Sequence, residues 1–138
     1  MIYKRLFLDS DVLLDMFLKR ESFFFYTQIL LIESEKRKLE LKTSSLIIAN
    51  ISYILRKQIG ISTTKENIKK LAESIDILPF EKDAIDFALA SNIVDFDDAI
   101  QCFIAKKSNC DLIITRNIKD YKNALISVLT AEQFLRTL

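Results

Sequence analysis

Apolar residues fall along the chain in short blocks whose spacing switches between strand-like and helix-like. Tyr3–Leu8 is an apolar, aromatic-rich run that stops at Asp9, the form of a buried strand carrying an acid at its C-terminal end. Val12, Leu13 and Met16 share one side of a short helix over Asp11–Phe17. Phe25, Ile29 and Ile32 recur at helical spacing from Ser22 to Lys38, and the basic run Lys36-Arg37-Lys38 suits the C-terminus of that helix. Leu39–Thr43 alternates as a short strand. Ser44 or Ser45 then caps a helix through Ile48, Ile51, Ile54 and Leu55 to Lys57, closed by Gly60.

Thr63 or Thr64 opens the next helix, through Ile68 and Leu71, with a capping-box spacing from Thr63 to Glu66. Ile75–Leu78 is a strand ended by Pro79. Glu81–Ala90 and Phe96–Lys107 are helical by period, Asp111–Thr115 and Ser127–Leu129 are further strands, and Thr130 caps a closing helix that carries Phe134 and Leu135. Strands separated by helices, with almost no hairpin signals, predict an α/β fold: a three-layer α/β/α sandwich around a central, mainly parallel sheet of four to five strands. No repeat, linker or low-complexity segment divides residues 1–138, so one domain is expected. In such sheets ligands bind beyond the carboxyl ends of the strands. Acids that end strands therefore mark the candidate site.

Composition changes this picture mainly by exclusion. The 138 residues are 50% hydrophobic and 28% charged with a net charge of +1, a globular balance. No overall basic excess advertises a nucleic-acid surface, so any such site must be a local patch. The absence of histidine removes Ser-His-Asp and Cys-His catalysis and imidazole ligation of metals. One glycine, Gly60, cannot build a P-loop or a dinucleotide-binding loop. Cys102 and Cys110 are too few for a disulfide framework and lack zinc spacing, so they read as buried free thiols. No stretch approaches the roughly 20 apolar residues of a membrane span. The N-terminal apolar run is too short for a signal peptide. A cytoplasmic protein with no membrane partner is expected, and its chemistry must come from carboxylates, amides, hydroxyls and amines.

Two strands end in suitable polar residues, Leu8-Asp9-Ser10-Asp11 and Ile114-Thr115-Arg116-Asn117, and a third group, Asp95-Phe96-Asp97-Asp98, opens a helix. Folded as above, the three could converge on one sheet edge. Clustered carboxylates repel one another at low effective dielectric. A hard cation such as Mg²⁺ or Mn²⁺ relieves that repulsion, and these ions favour oxygen ligands. Such a cation lowers the pKa of a water and neutralises charge developing on a phosphodiester, with no histidine needed.

The chain resembles the PIN-domain family, including the VapC-type toxin ribonucleases. The matching segments are Leu8-Asp9-Ser10-Asp11-Val12-Leu13-Leu14-Asp15, Asp95-Phe96-Asp97-Asp98-Ala99-Ile100-Gln101 and Ile114-Thr115-Arg116-Asn117-Ile118-Lys119-Asp120-Tyr121. The resemblance implies a metal-dependent endoribonuclease, the toxin of a toxin–antitoxin pair, with RNA as substrate and Mg²⁺ or Mn²⁺ as cofactor. It further implies an antitoxin protein as partner. Its acidic positions fall on Asp9, Asn50, Asp98 and Asn117, so two of four acids are amides in this chain. Asp9 and Asp98 are then the metal ligands, with Asn50 and Asn117 as weak neutral partners. Asp11 stands where the family often has asparagine. With Asp95, Asp97 and Asp120, which lie close to the matched positions, it either restores some of the negative charge the amides lack or faces solvent.

Each of these residues also has a plainer reading. Asp9 can cap the following helix. With Asp95 as N-cap, Asp97 and Asp98 are first-turn acids complementing the helix dipole. Asn50 suits its apolar helix poorly, which points it at a polar pocket; Asn117 suits a turn. Thr115 either orients a water or ends a strand. Asp15 and Asp120 read as surface residues or local hydrogen-bond partners. Arg116, beside the expected site, is the candidate contact to RNA phosphate. Phe23-Phe24-Phe25-Tyr26 reads as core plus a protein interface, for a homodimer or the antitoxin. Two functions follow: the nuclease, or a catalytically degenerate PIN domain acting as an RNA- or protein-binding module.

Overall fold

The computed structural model describes residues 2–138. Five strands, β1 (Arg5–Leu8), β2 (Glu40–Ser44), β3 (Asp76–Leu78), β4 (Leu112–Ile114) and β5 (Ser127–Leu129), form one sheet in the order β3-β2-β1-β4-β5. Every neighbouring pair is parallel. Around them run α1 (Ser10–Leu18), α2 (Phe24–Arg37), α3 (Ser45–Ile59), α4 (Ile61–Ser74), α5 (Lys82–Ala90), α6 (Phe96–Lys107) and α7 (Ala131–Leu135), with a 3₁₀ turn at Ile118–Tyr121.

The central strands explain the continuous apolar runs in the sequence. Leu6, Phe7 and Leu8 of β1 and Leu112, Ile113 and Ile114 of β4 have no exposed surface, because a parallel strand inside such a sheet is covered on both faces. Packing joins α1 to α2 and α3, α3 to α4, and α2 to α7; separately it joins α5 to α6, and α6 to the 3₁₀ turn. The strand order reverses direction between these groups, and right-handed crossovers therefore put them on opposite faces. The three-layer sandwich and its parallel sheet are as expected. At the edge away from the candidate site, the Asp111 carboxylate accepts the Lys4 and Arg5 amides at 2.9 and 2.8 Å and fixes where β1 begins.

Most element ends lie within two residues of those read from the pattern, and the instructive differences are local. Gly60 at φ 85° closes α3 by donating its amide to Arg56, then serves as N-cap of α4. Glycine tolerates that dihedral without a Cβ clash, so α4 starts at Ile61 and no Thr63–Glu66 capping box forms. Thr64 instead directs its hydroxyl back to the Gly60 carbonyl at 2.7 Å. The aromatic run is not core. Phe23 and Phe25 are 40% and 64% exposed, because α2 buries the stripe Thr27, Leu30 and Ser34 and the run precedes or flanks it. Cys102 and Cys110 are buried free thiols, as expected.

Candidate functional site

The strand order changes direction between β1 and β4, which opens a crevice at their carboxyl ends. Leu8 lies opposite Ile114, and the Asp9 amide donates to the Ile114 carbonyl at 3.0 Å. Asp9 and Thr115 therefore leave the sheet side by side. Thr43 of β2 closes the other side, its hydroxyl donating to the Leu8 carbonyl at 2.9 Å.

Asp9 is only 6% exposed. Its Oδ1 accepts the Ser10 amide at 2.8 Å, so it does cap α1. Its Oδ2 accepts from the Thr115 and Tyr121 hydroxyls, both at 3.0 Å. Asp11 Oδ2 accepts the Arg116 amide at 3.0 Å and lies 3.3 Å from Thr115 Oγ1. The single Thr115 proton can serve either acid. That hydroxyl also accepts the Asn117 amide at 3.1 Å. The second oxygen of Asp11 is buried with no partner among the described residues. Thr115 thus ends a strand and organises two carboxylates at once.

Asp98 arrives from the opposite layer in the first turn of α6. Its backbone amide is capped by the Asp95 side chain at 2.9 Å. The plain helix-start reading therefore holds, and Asp98 also lies within range of the Asp9 charge. Burial first, then the charges of Asp9, Asp95 and Asp120, pushes the Asp98 carboxyl up to about 7; Tyr121 partly opposes the rise. Burial and the charge of Asp9 push Asp11 up to about 6. Asp9 itself is raised by burial, against the pull of its Ser10, Thr115 and Tyr121 hydrogen bonds. Burial and the neighbouring carboxylates push the Tyr121 hydroxyl far above its ordinary range, so it stays a donor.

The remaining expected positions are exposed. Asn50 is exposed on α3. The inward stripe there is Ile47, Ile51 and Leu55, and Asn50 lies beside it. Asn117 is also exposed and acts as the N-cap of the 3₁₀ turn, accepting the Asp120 amide at 3.0 Å. Asp95, Asp97 and Asp120 are exposed. Among the described residues no group of three or more Asp, Glu or Cys side chains is close enough to hold a metal by itself.

Asp15 is a correction. It is 1% exposed, not a surface residue. Arg116 Nε and Nη2 grip its two oxygens at 2.8 and 3.0 Å, and Arg20 lies at 3.5 Å. The same guanidinium sits 4.0 Å from the centre of the Phe23 ring. Arg116, the candidate contact to RNA phosphate, is therefore held by a buried partner. The signal for Asp15 was its place in the apolar run Leu13-Leu14-Asp15-Met16-Phe17, four residues after Asp11. Tyr121 had no local signal, since its contact with Asp9 spans 112 residues of chain.

The structure defines the class as a parallel α/β domain with buried acids at its switch point. The sequence matches the PIN domain family over residues 5–119, and the chain belongs to that family. It is 31% identical over 136 residues to ribonuclease VapC1 of Aquifex aeolicus (strain VF5), an alignment covering 95% of this chain and 93% of that protein. Its fold resembles VapBC-1 from nontypeable Haemophilus influenzae, with a TM-score of 0.70 at 14% identity, covering 93% of this chain and 98% of the other. It also resembles Mycobacterium tuberculosis VapC20, a sarcin-ricin-loop-cleaving toxin, with a TM-score of 0.62 at 12% identity, covering 78% and 86% of the two chains.

Proposed function

We propose that this chain is a divalent-metal-dependent endoribonuclease, the toxin member of a toxin–antitoxin pair, hydrolysing RNA phosphodiester bonds. The observation that carries the reading is the buried Asp9, hydrogen-bonded to Thr115 and Tyr121 at the β1/β4 switch point with the charge of Asp98 nearby, in a chain 31% identical to a ribonuclease. The residues present fit Mg²⁺ or Mn²⁺. The donors are all oxygen, burial and then mutual repulsion hold the carboxyls of Asp98 and Asp11 high, and one Asp11 oxygen is buried without a partner among the described residues. Such ions commonly take one or two carboxylates and complete their shell with water and substrate phosphate.

Asp9 and Asp98 would hold the ion, with Asp11 and Asp95 adding negative charge. When bound, the ion supplies Lewis-acid stabilisation of phosphoryl charge and acidifies water. Thr115 and Tyr121 fix the rotamer of Asp9 through its Oδ2, and Asp9 Oδ1 is tied to the Ser10 amide. An antitoxin partner is supported by the likeness to VapBC-1 and to a toxin–antitoxin complex from Klebsiella pneumoniae. Among the described residues no helix is long and apolar enough to cross a membrane. A cytoplasmic location and a homodimer belong to the same proposal.

One observation favours a second reading, a PIN domain that binds without cutting: Asn50 and Asn117 are exposed amides where the resemblance places acids. The test is RNA cleavage by wild type, Asp9→Asn and Asp98→Asn, with Mn²⁺ and with EDTA, alongside calorimetric titration of Mn²⁺. The nuclease reading expects metal uptake and cleavage by wild type alone. Cleavage unchanged in both variants would remove the site assignment. Absence of metal uptake at millimolar Mn²⁺ with RNA present would favour the binding module.

A further inference from the structure

A cavity of about 490 Å³ opens beside the acid cluster, between the start of α2, the loop after β4 and the start of α7. Its size lies within the range of about 300–1,000 Å³ for small-molecule sites. It is lined by Arg116 and Asn117, which follow Thr115 on the loop that Thr115 ties to Asp9, so it adjoins the candidate site.

The chemistry of its wall is specific. Two rings line it, Phe23 and Tyr26, and the Arg116 guanidinium is layered on Phe23 at 4.0 Å. Arg116 is pinned through Nε and Nη2 by the buried Asp15, which leaves its Nη1 edge without a hydrogen bond among the described residues. Asp15 matches the charge of Arg116, and Glu132 stands in the same wall. The cavity therefore offers no net positive charge to a phosphate. What it offers is planar aromatic surface beside neutral hydrogen-bonding groups, chiefly the exposed side-chain amide of Asn117.

Resting on the nuclease reading, we infer that this cavity takes a nucleobase of the RNA strand that crosses the acid cluster. The base stacks on the Phe23–Arg116 layer, and its edge meets Asn117. Unstacked RNA bases are bound in this way on aromatic rings and guanidinium planes. Asn117 then serves base recognition, in a position where its lack of charge is an advantage. Asp15 acts as a positioning residue through Arg116.

The experiment uses the Asp98→Asn chain, with fluorescent hexaribonucleotides in which one base at a time is replaced by an abasic site. Phe23→Leu, added to the same chain, removes the stacking ring at an exposed position, and thermal melting confirms that the fold is kept. One abasic position should weaken binding about tenfold, the effect of losing one stacked base. The same change should matter less than about twofold once Phe23 is leucine. RNA bound with equal affinity whichever base is missing, or too weakly to rank, overturns the pocket and leaves the cavity to a polypeptide partner. Cleavage by the wild-type chain in the same preparation then separates the two failures. Cutting without base dependence sinks only the pocket, whereas neither cutting nor binding sinks the nuclease reading with it.

Discussion

The hydroxyl of Tyr121 donates to Asp9 Oδ2 at 3.0 Å and partly offsets the charge on Asp98, so one side chain from the 3₁₀ turn faces both principal acids. Tyr121 is 3% exposed, and water cannot easily replace it. A hydrogen bond to a charged group contributes about 1.5–3 kcal/mol, and Thr115 retains part of the interaction with Asp9. Tyr121→Phe is therefore expected to cost about 1–2 kcal/mol. The loss should be larger at pH 8 than at pH 4, because the bond favours ionised Asp9. Thermal melts at the two pH values check this, and equal melting temperatures for variant and wild type at pH 8 would refute it.

Asp98 and Asp11 titrate in the folded chain near 7 and 6, against an ordinary value of 3.8. Between about pH 4 and 7 the folded state therefore holds more protons than the unfolded one. Their contribution to stability falls as pH rises through that window and does not recover above it. Asp98→Asn removes the titrating group and its repulsion with Asp9. The variant should match wild type near pH 4 and melt roughly 2–4 °C higher at pH 8, a modest figure because Asp98 is partly exposed. Millimolar Mn²⁺ should raise the wild-type melting temperature at pH 8 and do much less for the variant. A melting difference independent of pH would contradict the assignment of these raised values.

Much of this was legible from pattern, and the exceptions share a cause. β1 and β4 announce themselves because both faces of each strand are buried, and an acid ending such a strand has few structural excuses. Asp9 was marked as a candidate by that logic, and Asp98 by the motif order. Asn50 is harder to read, because asparagine's low helix propensity does not reveal which way a helix turns; Ile47, Ile51 and Leu55 form the buried stripe and leave Asn50 exposed. Asp15 was placed at the surface or in a local contact because charge alone says nothing about a guanidinium arriving from 101 residues away. Tyr121 shares that difficulty. The long-range partners of polar groups are set by topology, which one-dimensional periodicity does not contain.

The Asp15–Arg116 pair yields the sharpest stability prediction. Asp15 is 1% exposed, while Arg116 keeps 30% of its side chain in solvent. Removing one member of a buried pair typically costs about 3–5 kcal/mol. Arg20 at 3.5 Å would remain near Asp15, so Arg116→Ala is expected to cost somewhat less, about 2–4 kcal/mol. Replacing both by Asp15→Leu with Arg116→Met should recover more than half of that loss, since no buried charge is then left alone. Urea titrations of the singles and the double variant give the coupling. If Arg116 is instead a mobile phosphate contact, Arg116→Ala will weaken RNA binding and leave the urea midpoint unchanged.

Ser44 links the two layers that carry the acids. Its hydroxyl donates to Gln101 Oε1 at 2.7 Å and accepts the Ile47 amide at 3.1 Å, so it caps α3 and anchors α6 at once. Ser44 and Gln101 are 0% and 3% exposed. Ser44→Ala removes a cap worth about 1 kcal/mol and leaves a buried amide oxygen without its donor, a further 1–3 kcal/mol or so. A total of about 2–3 kcal/mol is expected, and pairing the change with Gln101→Met should return much of it. Gln101 lies one helical turn after Asp98 on α6, so loss of the anchor also loosens the placement of Asp98 opposite Asp9. Cleavage by Ser44→Ala should therefore fall by about tenfold or more at temperatures where the variant is still fully folded, because small misplacements of reacting groups are costly. Gln101→Met with Ser44→Ala should regain stability without regaining rate. A double variant that recovers both would show that Ser44 and Gln101 support the fold alone and do not position Asp98.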